Sequence, residues 1–564
     1  MKRASIHKFI YIGLMAVLAA PTLSFASLAN EDKRGLRITA IDGVFRLPEE
    51  EVDLATAALV LSREWGTEKA GFVYRRKIDE MAEEILDRLK NKHLNADYRA
   101  IEVVNEYLFK ELGFRSIQDA DDPDDLFLHV VLERKRGYCL SLSMLYLSIA
   151  ERIGMPVYGV VVPGHFFVRY DDGKRKYNIE TTSGGAIADD KHYQEKFKPP
   201  VGDRTVYFKN LTKKQSLGCF FNNLGNCYIE RGQLDTAYEY LTAAIQVNPS
   251  LGEARTNLGN VLLQLNRPAE AVTQYEWALS LVGPDATTYN NMGNAYQAVG
   301  RYEQAKELYL RAIELKKDFF DAYRNLAGTY QSMGQLDKAI SQMEALVILK
   351  PQDAQNWLYM GQLYRKAGNP QLAQRAFQKA LKQNANLADA VAGLGNLYLD
   401  QQDYASALDL FGQAITMQPK NIEAWFGQAL ALHYLNRTDE EIQAYQQVLA
   451  IDPAQTGALQ NMGNAYLKQK KADTAVSCYL QAVQREPRSE DLHYNLGVAY
   501  ASLKQYDKAV ESYKKVLAIN PDNGAAHNGL AICYYLTGDR KSSRIYALRA
   551  QQLGQDVQKE LLKN

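Results

Sequence analysis

Residues 286–319 read ATTYNNMGNAYQAVGRYEQAKELYLRAIELKKDF, and this stretch is one period of a pattern that fills the C-terminal two-thirds of the chain. A shift of 34 residues brings Gly225, Gly259, Gly293, Gly361, Gly395, Gly463 and Gly497 into register, with Ala327, Ala429 and Ala531 filling the gaps. Ten copies run from Gly218 to about Val557 without insertion. In each copy the small residue is position 8. Position 11 is usually Tyr (Tyr228, Tyr296, Tyr330), position 20 usually Ala (Ala237, Ala271, Ala305) and position 24 usually aromatic (Tyr275, Phe377, Tyr445). Pro closes many copies at position 32, as at Pro249, Pro351 and Pro487.

These preferences have physical causes. Positions 4, 7, 8 and 11 fall on one helical face. Small residues at 8 and 20 let two helices approach closely, aromatics at 11 and 24 fill the space between hairpins, and Pro stops the second helix. The 36 Tyr against 18 Phe follow from this repeat. One hairpin buries too little apolar surface alone, so the copies are expected to stack. The pattern closely resembles the tetratricopeptide repeat. That resemblance implies an all-α solenoid over 218–557, whose concave face carries positions 2, 5, 6 and 9.

Position 6 is Asn in six copies, Asn223, Asn257, Asn291, Asn325, Asn461 and Asn495, and position 9 adds Asn226, Asn260, Asn294, Asn396 and Asn464. Asn is a mediocre mid-helix residue, so its recurrence asks for a reason. A carboxamide both donates and accepts, which suits an extended peptide main chain. Bonding within the solenoid itself is the other explanation. Position 2 holds Glu253, Asp321, Asp389, Glu423 and Asp491 and in no copy Lys or Arg. Capture of a terminal carboxylate is thereby disfavoured, and a neutral or basic segment is the expected partner. First-turn helix dipole preference explains the acids equally well.

Outside the repeats, the chain opens with Lys2, Arg3 and Lys8, the uncharged apolar run Phe9 to Ala20, and small residues at Ser24 and Ala26. Residues 1–26 therefore read as a secretory signal peptide. The chain is expected to be exported, to a bacterial periplasm, with no membrane span after cleavage. An uncleaved anchor is the alternative, and the short apolar run argues against it. The 564 residues are 46% hydrophobic and 23% charged, as in ordinary globular proteins, with 66 basic against 66 acidic side chains. That balance lacks the basic surplus of a duplex nucleic-acid binder. Five Cys exclude a disulfide scaffold. No phosphate loop, dinucleotide fingerprint or zinc spacing occurs, so no cofactor and no metal are expected.

Residues 31–212 do not repeat. Helical periodicity covers Leu47–Trp65, Tyr74–Lys92 and Tyr98–Leu112, with a short apolar segment at Leu126–Arg134. Arg134-Lys135-Arg136-Gly137-Tyr138-Cys139 precedes an apolar helix ending at Gly154 and Pro156. Val157–Val162, His165–Tyr170 and Tyr177–Glu180 read as strands, the last two joined at Asp171-Asp172-Gly173. Cys139 thus opens a helix just after three cations, and both features favour a thiolate. His165 and Glu180 sit on adjacent strands. Together they offer the nucleophile, base and orienting acid of an activated thiol. Each also has a plainer reading, as a buried thiol, a structural His and a strand-ending Glu.

The segment from Asp124 to Glu180, above all VLERKRGYCLSLSMLYLSIAERIGMPVYGVVVPGHFFVRY (131–170), is similar to the transglutaminase-like core of the papain-type cysteine enzymes, in its bacterial branch. The resemblance implies an α+β domain over 45–212, with Cys139 as nucleophile and His165 as base. The third position is commonly Asp, and Glu180 of NIETT (178–182) takes it here. Two readings follow. One is an exported acyl-transfer enzyme (hydrolysis, deamidation or crosslinking of amides) whose repeats bind a protein or extended peptide. The other is a non-enzymatic scaffold with an inactive domain. The sequence leaves the oligomeric state open.

Overall fold

The computed structural model describes residues 41–64, 70–117, 123–200, 202 and 204–562. The expected signal peptide, residues 1–26, lies outside them. Within them an α/β region is followed by a long all-helical repeat array, and the chain divides into two compact units between Lys317 and Asp318. The first unit therefore contains the α/β region together with the first three hairpins.

The α/β region begins with α1 (Ile41–Arg46), α2 (Leu54–Glu64) and α3 (Ala70–Asn91). The helix expected from Leu47 starts only at Leu54, because Pro48 and a 3-10 turn at Glu49–Glu51 intervene. Next come α4 (Ala100–Asn105), which continues as a π-helical turn over Glu106–Glu111, and β1 (Arg115–Ser116). After α5 (Leu128–Arg134) and β2 (Arg136–Gly137), α6 spans Cys139–Ile153. Strands β3 (Val157–Val162), β4 (His165–Asp171), β5 (Lys176–Glu180) and β6 (Ala186–Ala188) form an antiparallel meander in that order. Helix α7 (Asp190–Phe197) closes the region.

Strand alternation gives the sheet two faces. Phe166, Val168, Tyr170 and Ile179 join a core with Leu142, Leu145 and Ile149 of α6. On the other face Phe167 packs with Val160, Val162 and Tyr193 of α7 in a smaller cluster. Arg169 fixes α7 there. It is 2% exposed, donates to Asn178 Oδ1 at 2.6 Å across the register pair and pairs with Asp190 Oδ1 at 3.2 Å. Lone burial of such a charge would be costly, so these partners make the arrangement specific.

The array starts with α8 (Lys213–Glu230), and its N-terminal end is embedded in the α/β region. Lys213 Nζ pairs with Glu151 of α6 at 2.5 Å, and Lys214 Nζ reaches the Phe45 carbonyl at 3.0 Å. At Gly159 of β3 a Cβ would lie 2.5 Å from Phe166 and 2.7 Å from Ser216 Oγ, so only glycine lets strand and helix meet this closely. Hairpins follow as α9 (Leu234–Val247), α10 (Gly252–Gln264), α11 (Pro268–Val282), α12 (Ala286–Ala298) and α13 (Tyr302–Leu315). The second unit runs from α14 (Phe320–Ser332) to α27 (Arg540–Gln552).

Within both units the aromatic at position 24 lies against the glycine at position 8 of its own copy. A Cβ on Gly259 would sit 2.4 Å from Tyr275, and one on Gly361 2.6 Å from Phe377. Phe377 also fills the space over Gly393 of the next copy, so one ring joins two hairpins. In three copies asparagine at position 9 holds that ring's hydroxyl: Tyr275 donates to Asn260, Tyr309 to Asn294 and Tyr479 to Asn464, at 2.7–2.8 Å. Part of the asparagine recurrence is thus solenoid architecture.

Candidate active site

Cys139 is held at the first turn of α6 by its neighbours. Tyr138 is extended, and its N–H donates to Ser141 Oγ at 2.8 Å, while the Ser141 hydroxyl donates to the Asp125 carbonyl at 2.9 Å. A Cβ at Gly137 would come 2.6 Å from Ser141 Oγ, so the hinge into the helix needs glycine there. The parallel pairing of β1 with β2, Ser116 opposite Gly137, fixes the chain just before the thiol. At the helix start the Cys139 amide lies outside the intrahelical ladder, where the dipole favours negative charge.

The basic run before Cys139 has a different task from the one read in the sequence. Arg134 and Arg136 both pair with the buried Asp125, each at 3.0 Å. Lys135 is exposed in a left-handed conformation that ends α5. Two of the three cations are therefore spent on a buried carboxylate, not on the thiol.

His165, the first residue of β4, is brought to Cys139 and to Glu180 at the end of β5. Its Nε2 lies 2.7 Å from Glu180 Oε2, and Cys139 lines the same cavity as the ring and is close enough to act on its charge. With Nε2 committed to the carboxylate, Nδ1 is the ring nitrogen left for another partner. Burial alone would lower the His165 pKa. Cys139 and Glu180 overcome it and raise the value to about 9. Burial would likewise raise Glu180, but His165 and Thr182 hold it below its ordinary value.

Several supporting residues carried no signal in the sequence. Glu180 accepts from Thr182 N–H at 3.2 Å, Thr182 Oγ1 at 2.5 Å and Tyr193 Oη at 3.1 Å. Phe197 stacks flat on the His165 ring, centroids 5.0 Å apart and 2° from parallel. Both rings, Tyr193 and Phe197, come from α7, whose short polar segment DKHYQEKF lacks a strong helical pattern. Thr181 Oγ1 bonds Ser143 Oγ at 3.0 Å and ties the end of β5 to α6. A repeat residue also enters: Glu253 of α10 accepts from the Gly164 N–H at 3.2 Å, on the turn that leads into His165.

A cavity of about 140 Å³ exposes these groups. Cys139, Gly164 and His165 line one side, and Asn222, Asn226 and Glu253 of the first two hairpins line the other. Cys219 lines it too, but burial pushes its thiol pKa well above the ordinary range. All five cysteines are free thiols, and burial also raises Cys227, Cys478 and Cys533 to about 11.

Of the groove asparagines in the first unit, Asn223 lines the cavity around Cys139, and Asn257 and Asn291 line a second groove of about 450 Å³. Asn257 donates to Asn222 at 3.0 Å and Asn291 to Asn260 at 2.9 Å, so the carboxamides form a ladder between successive copies. Asn325, Asn461 and Asn495 belong to the second unit. The position-2 acids also have structural partners. Asp321 pairs with Arg324 at 3.1 Å, and Asp389 and Glu423 each accept from an asparagine at 2.7 Å.

A family model for the transglutaminase-like superfamily matches residues 73–217. Tetratricopeptide repeat models match 216–282, 284–347, 358–405, 392–456 and 490–523. The chain is similar to a "UPF0162 protein" of Xylella fastidiosa, 26% identical over 41% of this chain and 85% of that protein. It is also similar to UPF0162 protein PA3419 of Pseudomonas aeruginosa, 24% identical over 36% of this chain and 76% of that protein. Among solved structures, yeast Tom70 aligns at 16% identity over 60% of this chain and 85% of that one, with a TM-score of 0.35, which carries no argument about the site. Residues 73–217 are a transglutaminase-like domain and the helices after it are tetratricopeptide repeats. This combination indicates a protein-interaction scaffold. Among the described residues no helix is long and apolar enough to cross a membrane.

Proposed function

We propose that this chain, a transglutaminase-like domain followed by tetratricopeptide repeats, is an exported cysteine-dependent acyl-transfer enzyme acting on protein substrates. The observation that carries the reading is the convergence itself: Glu180 Oε2 is 2.7 Å from His165 Nε2, and that ring shares one cavity with Cys139 at a helix start. With its pKa at about 9, the His165 imidazole already holds the proton it shares with the thiol near neutral pH, and in the acylation step the Cys139 sulfur attacks a substrate amide or ester carbonyl. The Cys139 backbone N–H faces the developing oxyanion. His165 then protonates the departing amine or alcohol as the C–N or C–O bond breaks, leaving a thioester. Water or a second amine attacks that thioester, His165 takes its proton, and the thiol is released. Glu180 keeps the ring in one orientation throughout.

The repeats recruit the substrate, with Asn223, Asn257, Asn291, Asn325, Asn461 and Asn495 facing bound polypeptide. Export rests on the basic start, the apolar run and the small residues of 1–26, and a fusion to a reporter active only outside the cytoplasm tests it. The catalytic reading is tested with a thiol-reactive probe near neutral pH. Fast labelling of wild type should vanish in Cys139→Ala and fall sharply in His165→Ala at an unchanged thermal midpoint. Slow, ordinary labelling of Cys139 in wild type leaves only a scaffold.

A further inference from the structure

Glu253 differs from other position-2 acids of the repeats in its partner. Asp321 pairs with Arg324 of its own helix, and Asp389 and Glu423 accept from asparagines of the array. Glu253, the second residue of α10, instead accepts from a backbone N–H outside the repeats, that of Gly164. Val162 and His165 face each other across β3 and β4, so Pro163 and Gly164 form the whole turn between them. Gly164 takes a φ of +71°, a left-handed conformation that favours glycine. Such a turn uses the N–H of its last residue, His165, for its own bond, and the Gly164 N–H looks outward for an acceptor. Glu253 supplies that acceptor one residue before the imidazole. Its own backbone is tightly held. A Cβ at Gly252 would lie 2.4 Å from Val282, so α10 begins hard against the end of α11. The buried Asn248 ties the link before α10 to α8 by donating to the Gln215 carbonyl at 3.2 Å. Tyr207, also buried, is a second polar neighbour of the Glu253 carboxyl. Burial raises that carboxyl's pKa, and Gly164 and Tyr207 act against burial. The raised imidazole of His165 in the same cavity owes its value to Cys139 and Glu180, whereas the Glu253 contact is with the backbone of the turn.

We infer that Glu253 is a positioning residue for His165, supplied to the transglutaminase-like domain by the repeat array and acting through the Gly164 N–H. With that N–H held, the turn keeps His165 at the start of β4 beside Cys139. Without it the turn can tilt and carry the ring away from sulfur. This deepens the acyl-transfer reading and rests on it for the step the ring serves, while the hydrogen bond at Gly164 is measurable apart from it. The first two hairpins thereby do more than recruit: they close one side of the cavity and hold its base.

The test uses the full chain carrying Glu253→Gln, Glu253→Asp or Glu253→Ala, and reads hydrogen exchange at Gly164 and the pH profile of Cys139 alkylation. Glu253→Gln keeps an acceptor at the same reach, Glu253→Asp keeps the charge on a shorter arm, and Glu253→Ala keeps neither. Exchange at Gly164 should stay slow in Glu253→Gln and speed up in the other two. Alkylation should slow by ~10- to 100-fold in Glu253→Ala and Glu253→Asp, the scale of a misplaced reacting group, and largely recover in Glu253→Gln. The alkaline limb of the profile should stay where wild type has it, because Cys139 and Glu180 still raise the ring. In a His165→Ala background Glu253→Ala should change the rate no further. Labelling of the buried Cys219 reports opened packing, and if it appears in Glu253→Ala the comparison of Glu253→Asp with Glu253→Gln decides. Alkylation in Glu253→Gln no faster than in Glu253→Asp, a displaced alkaline limb in Glu253→Gln, or a further loss in the His165→Ala background would overturn the inference. Fast wild-type labelling that ignores position 253 removes the positioning role alone. Slow wild-type labelling removes the acyl-transfer reading and the positioning role with it.

Discussion

Around Cys139 every polar contact is made once, whereas in the repeats one contact returns in several copies. Glu180 bonds His165, Thr182 through two atoms, and Tyr193, a set found nowhere else among the described residues. The Tyr-to-Asn bond of the array recurs at Tyr275, Tyr309 and Tyr479 with almost the same length. The difference teaches where a single change should be felt. Loss of a unique member of the site removes a chemical step. Loss of one repeat contact is shared among neighbours, because repeat stability is close to a sum of local terms.

The largest expected effect is therefore at the thiol. Cys139→Ala should remove fast alkylation and any acyl transfer altogether, since the other four thiols are raised by burial and react slowly. Mass spectrometry of the labelled chain checks this, and retained labelling elsewhere would break the contrast. Next comes Phe377→Ala, the ring shared by two hairpins. It should cost about 3–5 kcal/mol and lower the midpoint of the second unit in calorimetry, without touching labelling at Cys139. A smaller effect is expected for Glu180→Gln. Removing the carboxylate's charge should bring the His165 pKa down from about 9 toward its ordinary 6.5, so the alkaline limb of the labelling profile moves to lower pH. The sign for stability follows. His165 is raised in the folded chain, so its stabilising contribution is fully present below pH 6.5 and is lost as pH rises through about 9. Smallest is Tyr309→Phe, which deletes the bonds to Asn294 and Gln297 and should cost about 1 kcal/mol by chemical denaturation.

The same comparison explains what the sequence makes legible. The 34-residue phase states each packing preference up to ten times, so the hairpins and their phase can be read from the residue pattern alone. The site is stated once. Cys139, His165 and Glu180 are legible because helix start, strand start and strand end are marked by Gly137, Gly164 and the NIE run. Tyr193 and Phe197 are not, since α7 is a short polar helix whose place over β4 is set by Arg169 and Asp190. Glu253 is hidden for another reason. It obeys the repeat pattern as an ordinary position-2 acid, and only folding brings it to Gly164. The cations at 134 and 136 look like thiol activators in sequence because Asp125, an acid in a run of acids, shows no sign there of being buried between them.

The most direct test of the coupled site is a double-mutant cycle on the Cys139 alkylation rate at neutral pH, using His165→Ala, Glu180→Gln and both together. If Glu180 acts through the imidazole, His165→Ala slows labelling strongly and adding Glu180→Gln changes it no further. Independent, multiplying losses from the two substitutions, or an unchanged rate in His165→Ala, would contradict a sulfur, imidazole and carboxylate working as one unit.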